Sequence, residues 1–441
     1  MFGQVLQNPQ PNASADLKKV LKAPHFWAIA VGTVITGNYY GFSYGLAFGG
    51  PVSFLLAYLL VSIFYIAFVH CYAELATAFP SAGGASVFAG RAMGAFAGYL
   101  TGFSVLVSFL IAPCAIAITT GDLTHFLFPW IPTRAASIVL FCLFIFLSLF
   151  SVESSTKLQV VISVISILGL LLYAAIALPY FEPSRYLTRP LLKNGFPGIA
   201  GAMTFAMWFY FGIDCAAMSA EEMVNPARDI PKGFRAAVYT LFAVAFIAVV
   251  LPAGIADYQE IASVNFPLAC SLELVLGEQN PWSTVFAAIA LVSLLAGFVG
   301  TILAYSRQCF SMARDGYFPH FLTKTNHNGV PYHALLLPSA IAIVLTLFGD
   351  VDLCIAISVF AALVEYITVI FSLFQLRNVE TALCRPYRVR LFFPVTALLT
   401  GILLAVCVIG TNLSVAPWFL LLYGAATLFY VLYSKKYVDM N

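Results

Sequence analysis

Charge is what this sequence holds least of: Asp, Glu, Lys and Arg make up 9% of its 441 residues against 61% hydrophobic ones, and the mean hydropathy is +0.94. So little polar surface excludes a water-soluble domain. Paired cysteines are missing as well. The nine Cys are scattered in or beside apolar runs without a CxxC, so they read as small core residues rather than disulfides or metal ligands. His25, His70, His125, His320, His327 and His333 form no HExxH or other ligand spacing. No enzyme chemistry, metal or cofactor is therefore indicated. The opening "MFGQVLQNPQPNASADLKKVLK" has no apolar core followed by a small-residue cleavage site, and no cleaved signal peptide is expected. A formal net charge of +2 gives no sign of a nucleic-acid partner.

What the chain does have is apolar stretches long enough to cross about 30 Å of hydrocarbon. They fall at roughly 25–48, 51–78, 94–121, 134–150, 157–180, 198–220, 234–256, 282–307, 334–349, 352–376, 392–411 and 415–433. The expected fold is an all-α polytopic membrane protein of about twelve transmembrane helices. An even count puts both termini on one side. Of the 21 Lys and Arg residues only Arg134, Arg185, Arg189 and Lys193 fall on the other side. By the positive-inside rule both termini are cytoplasmic, in a plasma membrane or bacterial inner membrane.

Two spans are interrupted. The first reads "VGTVITGNYYGFSYGLAFGG", with Gly37, Asn38 and Gly41 near mid-membrane, and the sixth reads "FAMWFYFGIDCAAMSAEE", with Gly212 and Asp214 at its centre. These are poor helix formers, and backbone opened inside a bilayer is tolerated only where protein or a water-filled cavity supplies new partners. Breaks five spans apart, entered from opposite sides, predict an inverted-repeat transporter with its substrate at the breaks. The competing explanation is that glycine here only lets helices pack closely.

Asp214 sharpens the choice. A carboxylate at a helix centre costs about 2.5–3.5 kcal/mol on insertion scales, so it faces the bundle interior and needs a partner. No Lys or Arg lies at mid-depth to serve. Three readings stay open: a substrate ammonium is the partner, the acid is protonated, or it caps the second half of the sixth helix.

Four segments carry a family resemblance: "PSAGGASVFAGRAMGAFAGYLTGF" (80–103), "SAEEMVNPARDIPKG" (219–233), "AYSRQCFSMARDGYFPHFLTKTNHNGVP" (304–331) and "RPYRVRLFFPV" (385–395). In this order, over essentially the whole chain, they resemble the amino acid, polyamine and organocation (APC) transporter superfamily. Within it "GNYYGFSYGLAFGG", "AELATAFPSAGG" and "IAPCAIAI" most resemble the ethanolamine permease branch. That branch usually has Glu followed by Gly in the sixth-span break, where this chain has Asp214 and Cys215; "FGID" is also close to the Gly-Phe-Asp of cationic amino acid transporters.

The resemblance implies a LeuT-type fold: a cytoplasmic segment 1–24, a five-helix repeat over 25–180, its inverted copy over 181–376, and two added helices with a short C-terminus over 377–441. It also implies a substrate site made by Thr36, Gly37, Asn38, Tyr39, Tyr40 and Gly41 in the first break and by Tyr210, Phe211, Gly212 and Asp214 in the sixth. The aromatics would supply cation-π contacts and a gate, or ordinary packing. Some proton-coupled relatives carry a lysine partway along helix five, where this chain has Ser166. Glu365, at a position apolar in most relatives, is either a proton carrier or a satisfied structural acid. Glu74 is a further coupling candidate, with hydrogen bonding near the cytoplasmic end as its plainer role. Glu221 and Glu222, with Arg228 and Lys232, are expected to shape the inner gate.

The expected function is secondary active transport of a small ethanolamine-like amine, coupled to protons rather than sodium. The alternative is an amino acid permease or amino acid/amine exchanger of the same superfamily. An amine channel would differ by non-saturating flux, and a non-transporting sensor by binding without movement.

Overall fold

The computed structural model describes residues 19–149, 152–187, 190–277, 280–379 and 384–438, with the side chains of 152–158 left aside. The segment expected at 1–24 thus lies outside it up to residue 18, and so does Arg189. The described chain is helical, and its one strand-like contact is the isolated pairing of Leu21 with Met223.

The first span is broken as the sequence suggests. Helix α1 (Ala23–Val34) passes into a 3-10 turn, Ile35–Asn38, and the chain resumes as α2 (Ser43–Ala78), which bends at Gly50 and Pro51. Next come a short helix, α3 (Ala85–Met93), then α4 (Ala95–Leu127), α5 (Thr133–Ser148) and α6 (Val152–Ala177). The sixth span is α7 (Gly195–Met207), an irregular stretch from Trp208 to Gly212, and a 3-10 helix, Ile213–Glu222. After α8 (Pro226–Ile255) the connection holds α9 (Tyr258–Ile261) and α10 (Pro267–Leu276), neither of them an expected span. Four long helices and one shorter follow in order: α11 (Pro281–Arg314), α12 (Tyr332–Phe348), α13 (Val351–Val379), α14 (Phe392–Thr411) and α15 (Ala416–Phe429), the last prolonged by a π turn to Ser434.

All twelve expected spans have helical counterparts. Among the described residues eight helices are long and apolar enough to cross a membrane, and α5, α7, α10 and α12 are shorter apolar helices. The seventh span starts earlier than its apolar run, at Pro226, because proline at the first helical position and Asp229 in the first turn favour initiation there. Its first turns carry Arg228 and Lys232, which hid them from an apolar count.

In lipid, helices gain little from burying apolar surface and associate instead by close packing. Here α2 runs along α7 and α8, α4 lies against both α11 and α13, and α1 packs on α8, α6 and the 3-10 half of the sixth span. Small residues make the closest contacts: a Cβ on Gly300 would sit 2.3 Å from Thr33 Oγ1, and one on Gly32 would sit 2.4 Å from Ser163 Oγ. The outer helices keep their apolar faces outward, with Trp418, Leu420 and Leu421 exposed on α15, as lipid contact requires. Six of the nine cysteines are buried, but Cys142 and Cys384 are exposed, against the expectation of nine core residues.

Candidate functional site

The two breaks meet. Gly37 lies against the Trp208 carbonyl, where a Cβ would come within 2.5 Å of the oxygen. Tyr40 meets the Trp208 indole edge-on at 5.9 Å, and Trp208 stacks on Phe211 at 4.8 Å. Gly212 takes φ 86°, a left-handed backbone that glycine alone adopts without strain, and it serves as N-cap of the following 3-10 helix. Asp214 is therefore not the cap; it stands in that helix's first turn.

All ten residues expected at the breaks are buried. Their polar groups differ in how fully they are used. Tyr39 donates its hydroxyl to the Ser166 carbonyl at 2.5 Å, and Ser166 Oγ donates to Ile162 O. Position 166 thus meets the first break through its backbone and not its hydroxyl. Asn38 Nδ2 donates to Ile35 O at 3.3 Å, while Asn38 Oδ1 has no partner. Ser43, Thr119 and Ser358 also hold buried hydroxyls without partners. Burying such atoms costs about 1–3 kcal/mol each when nothing answers them, so the unpaired atoms of Asn38 and Ser43 at the first break suit a polar guest or ordered water.

Asp214 turns away from the first break. Tyr366 on α13 donates its hydroxyl to Asp214 Oδ1 at 3.1 Å, and among the described residues no hydrogen bond joins Asp214 to residues 36–41. Glu365, the residue before Tyr366 on α13, is a second buried acid close enough to act on Asp214 electrostatically. Asp214 Oδ2 and Glu365 Oε1 have no hydrogen-bond partner, and two carboxyls can bond to each other only when one of them carries a proton. Both acids are 1% exposed. The rest of this chamber is aromatic: Tyr65 stands edge-on to Tyr366 at 5.6 Å and stacks on Tyr210 at 4.9 Å, while Phe68 lies 4.5 Å from Tyr366. Tyr210 is anchored in turn by Ser62 at 2.7 Å.

The site closes toward both ends. At the end bearing Lys22 and Arg377, Val20 and Leu21 donate backbone hydrogen bonds to Glu222 O, and Val224 donates to Leu21 O. Glu222 pairs with Arg307 at 3.1 Å, and Glu221 accepts from the Ala82 amide at 2.9 Å with Arg314 at 3.9 Å. The partners of these two acids are therefore Arg307 and Arg314 from α11, to which the 3-10 helix delivers them. Glu74 is fully buried beneath Arg377, with Arg385 at 3.3 Å and the Val389 amide at 2.9 Å. At the opposite end Tyr44 donates to Asn265 Oδ1 and Asn265 Nδ2 donates to Asp122 Oδ2, each at 2.6 Å, beside a cavity of about 300 Å³.

Tyr366, Tyr65 and Asn265 were not foreseen. The Tyr following Glu365 was the one available signal, since neighbours on a helix differ by about 100° and only packing decides which of them reaches Asp214. Among the described residues no three His, Cys, Asp or Glu side chains gather as a metal site.

Comparison with known proteins agrees with this architecture. The sequence family described as "Amino acid permease" matches residues 25–438. An uncharacterised transporter of Rhizobium meliloti (strain 1021) is 26% identical, covering 84% of this chain and 81% of that protein. The branched-chain amino acid permease BcaP of Bacillus subtilis (strain 168) is 24% identical over 96% of this chain and 95% of its own. The lysine-specific permease LysP of Lactococcus lactis subsp. cremoris (strain MG1363) is 23% identical over 98% and 92%.

Proposed function

The chain belongs to the amino acid permease family, and from that premise we propose that it carries a small α-amino acid across the cytoplasmic membrane by alternating access, together with a proton. It is a multi-pass membrane transporter and not an enzyme. The observation that carries the finer reading is the meeting of two unwound helices, Gly37 against Trp208, beside buried polar atoms that lack partners. Half-helix ends offer free amides to a carboxylate and free carbonyls, with Asn38 Oδ1, to an ammonium.

In this reading the helices of 25–180 and 181–376 are the two halves of an inverted repeat, each opening with its broken helix, and residues 377–441 add two more. Thr36, Tyr39, Tyr40, Gly41, Phe211 and Gly212 line the substrate, with Tyr210 behind them. The carboxyls of Asp214 and Glu365 hold one proton between them, since two adjacent carboxylates with no cation cannot both ionise without a large repulsion. A proton taken up there, or displaced by a substrate ammonium, couples transport to the pH gradient. Lysine and arginine counts favour cytoplasmic termini.

A second reading, an ethanolamine-like amine, draws on the two central acids with no basic residue beside them. A cation lacking a carboxylate would suit that imbalance, whereas the names of the relatives favour amino acids for those proteins.

One experiment separates the two: uptake of labelled lysine, leucine and ethanolamine into proteoliposomes, each challenged by a panel of amino acids and amines with an inward or outward pH gradient. Saturable uptake that amino acids compete best supports the permease reading. Competition only by amines lacking a carboxylate replaces it with the second.

A further inference from the structure

Beyond the central site, toward the Arg307 end, lies a smaller cavity of about 40 Å³. Thr33 from α1, Gln159 from α6, Cys215, Ser219 and Glu222 from the 3-10 helix, and Arg307 from α11 line it among apolar neighbours. Most of its polar groups are already spent. Cys215 Sγ donates to Thr33 Oγ1, Thr33 Oγ1 donates to Ile29 O, and Ser219 Oγ donates to Ala216 O. Two donors are not. Gln159 is 4% exposed and its Nε2 has no acceptor. Arg307 gives one hydrogen bond, Nη2 to Glu222 Oε1, and no other among the described residues.

An amide N–H without an acceptor and a guanidinium held by Glu222 alone, lining one small cavity, match a carboxylate, which accepts from both. Glu222 beside them adds the complementary charge. We propose that this cavity is an inner subsite for the headgroup of an α-amino acid on its way past the Arg307 end: its carboxylate is held by Gln159 Nε2 and Arg307, and its ammonium by Glu222. The proposal rests on the amino acid reading above.

A single water needs about 10–15 Å³, so the cavity admits a carboxylate but not a whole substrate. The remainder must enter the gap between Glu222 and Arg307. The zwitterion therefore replaces that ion pair charge for charge, and the end opens without leaving either side chain unpaired. Asp214 and Glu222 lie on one 3-10 helix, so the same element serves the ammonium at both stations.

The test is sided kinetics in proteoliposomes of uniform orientation, comparing the wild-type protein with Gln159→Leu and Arg307→Lys. The Lys variant keeps the charge and the pairing with Glu222 but removes the fork. Either variant is expected to raise KM for a transported amino acid about tenfold at the Arg307 face, the effect of losing one charge-assisted hydrogen bond, and to leave KM at the opposite face within twofold. Equal changes at both faces, or none at the Arg307 face, mean that the cavity holds only water, and the subsite is overturned. Should Gln159→Leu not fold, the Arg307→Lys result alone decides. A wild-type protein that moves amines and no amino acid overturns the permease reading and this subsite together.

Discussion

Tyr366, from the middle of α13, donates its hydroxyl to Asp214 Oδ1 at 3.1 Å in the unwound stretch of the sixth span, and Glu365, the residue before it on α13, is a second buried acid in the same surroundings. Charge removal at one of the two acids leaves a neutral donor beside the other and fixes the proton in place. Glu365→Gln is therefore expected to abolish the stimulation of uptake by an inward proton gradient while exchange of substrate for substrate continues. Uptake measured in proteoliposomes from pH 5 to 8 checks this. A normal pH profile in the variant would make Glu365 a structural acid.

Tyr366→Phe removes the hydroxyl that donates to Asp214 Oδ1 and leaves a buried carboxylate oxygen with nothing in its place. Such a loss is worth about 1.5–3 kcal/mol, or roughly a ten- to hundredfold weaker substrate interaction if Asp214 works as its partner. The aromatic packing survives, so the melting temperature in detergent should move little while KM rises.

Gly37→Ala places a methyl group 2.5 Å from the Trp208 carbonyl, a backbone atom with no freedom to step aside. The two breaks must separate to admit it. Transport should fall below detection even where size-exclusion profiles report a folded protein, whereas alanine at Gly410, which meets nothing within 4 Å, should be silent.

Glu74→Gln tests a different role. The side chain is buried beneath Arg377 and Arg385, and Gln keeps one acceptor oxygen but removes the counter-charge of both guanidiniums and turns the other oxygen into a donor facing them. Breaking a buried pair of this kind costs about 3–5 kcal/mol. Thermal unfolding in detergent should shift down markedly with the pH dependence of uptake unaltered, which separates Glu74 from the coupling residues.

The orientation has its own check. Cys384 is exposed in the connection between α13 and α14, while the other exposed thiol, Cys142, lies within an apolar helix. A membrane-impermeant maleimide should modify Cys384 in inside-out vesicles and spare it in right-side-out cells. The reverse pattern would place the termini outside.

How far the sequence could be read depended on whether a feature announces itself locally. Gly37, Asn38 and Gly212 stand out because poor helix formers in an apolar run have few explanations, and the structure unwinds at both places. Asp214 and Glu365 stood out singly, as acids at mid-span. Their proximity did not, since it depends on how two helices are rotated about their axes. The partners of Glu221 and Glu222 were out of reach for the same reason: Arg307 and Arg314 are far in sequence but near in space. Within "RPYRVR", Arg385 pairs with Glu74 at 3.3 Å, a contact between residues 311 positions apart that no local pattern announces.

The ten residues Ile213–Glu222 are wound as a 3-10 helix, well beyond the three or four residues usual for that form. At about 2.0 Å per residue against 1.5 Å in an α-helix, the same ten residues would be about 5 Å shorter if rewound. One end is fixed near Asp214 and the other holds Arg307 through Glu222. Rewinding it as an α-helix would draw Glu222, and Arg307 with it, toward the centre of the protein by close to one helical turn.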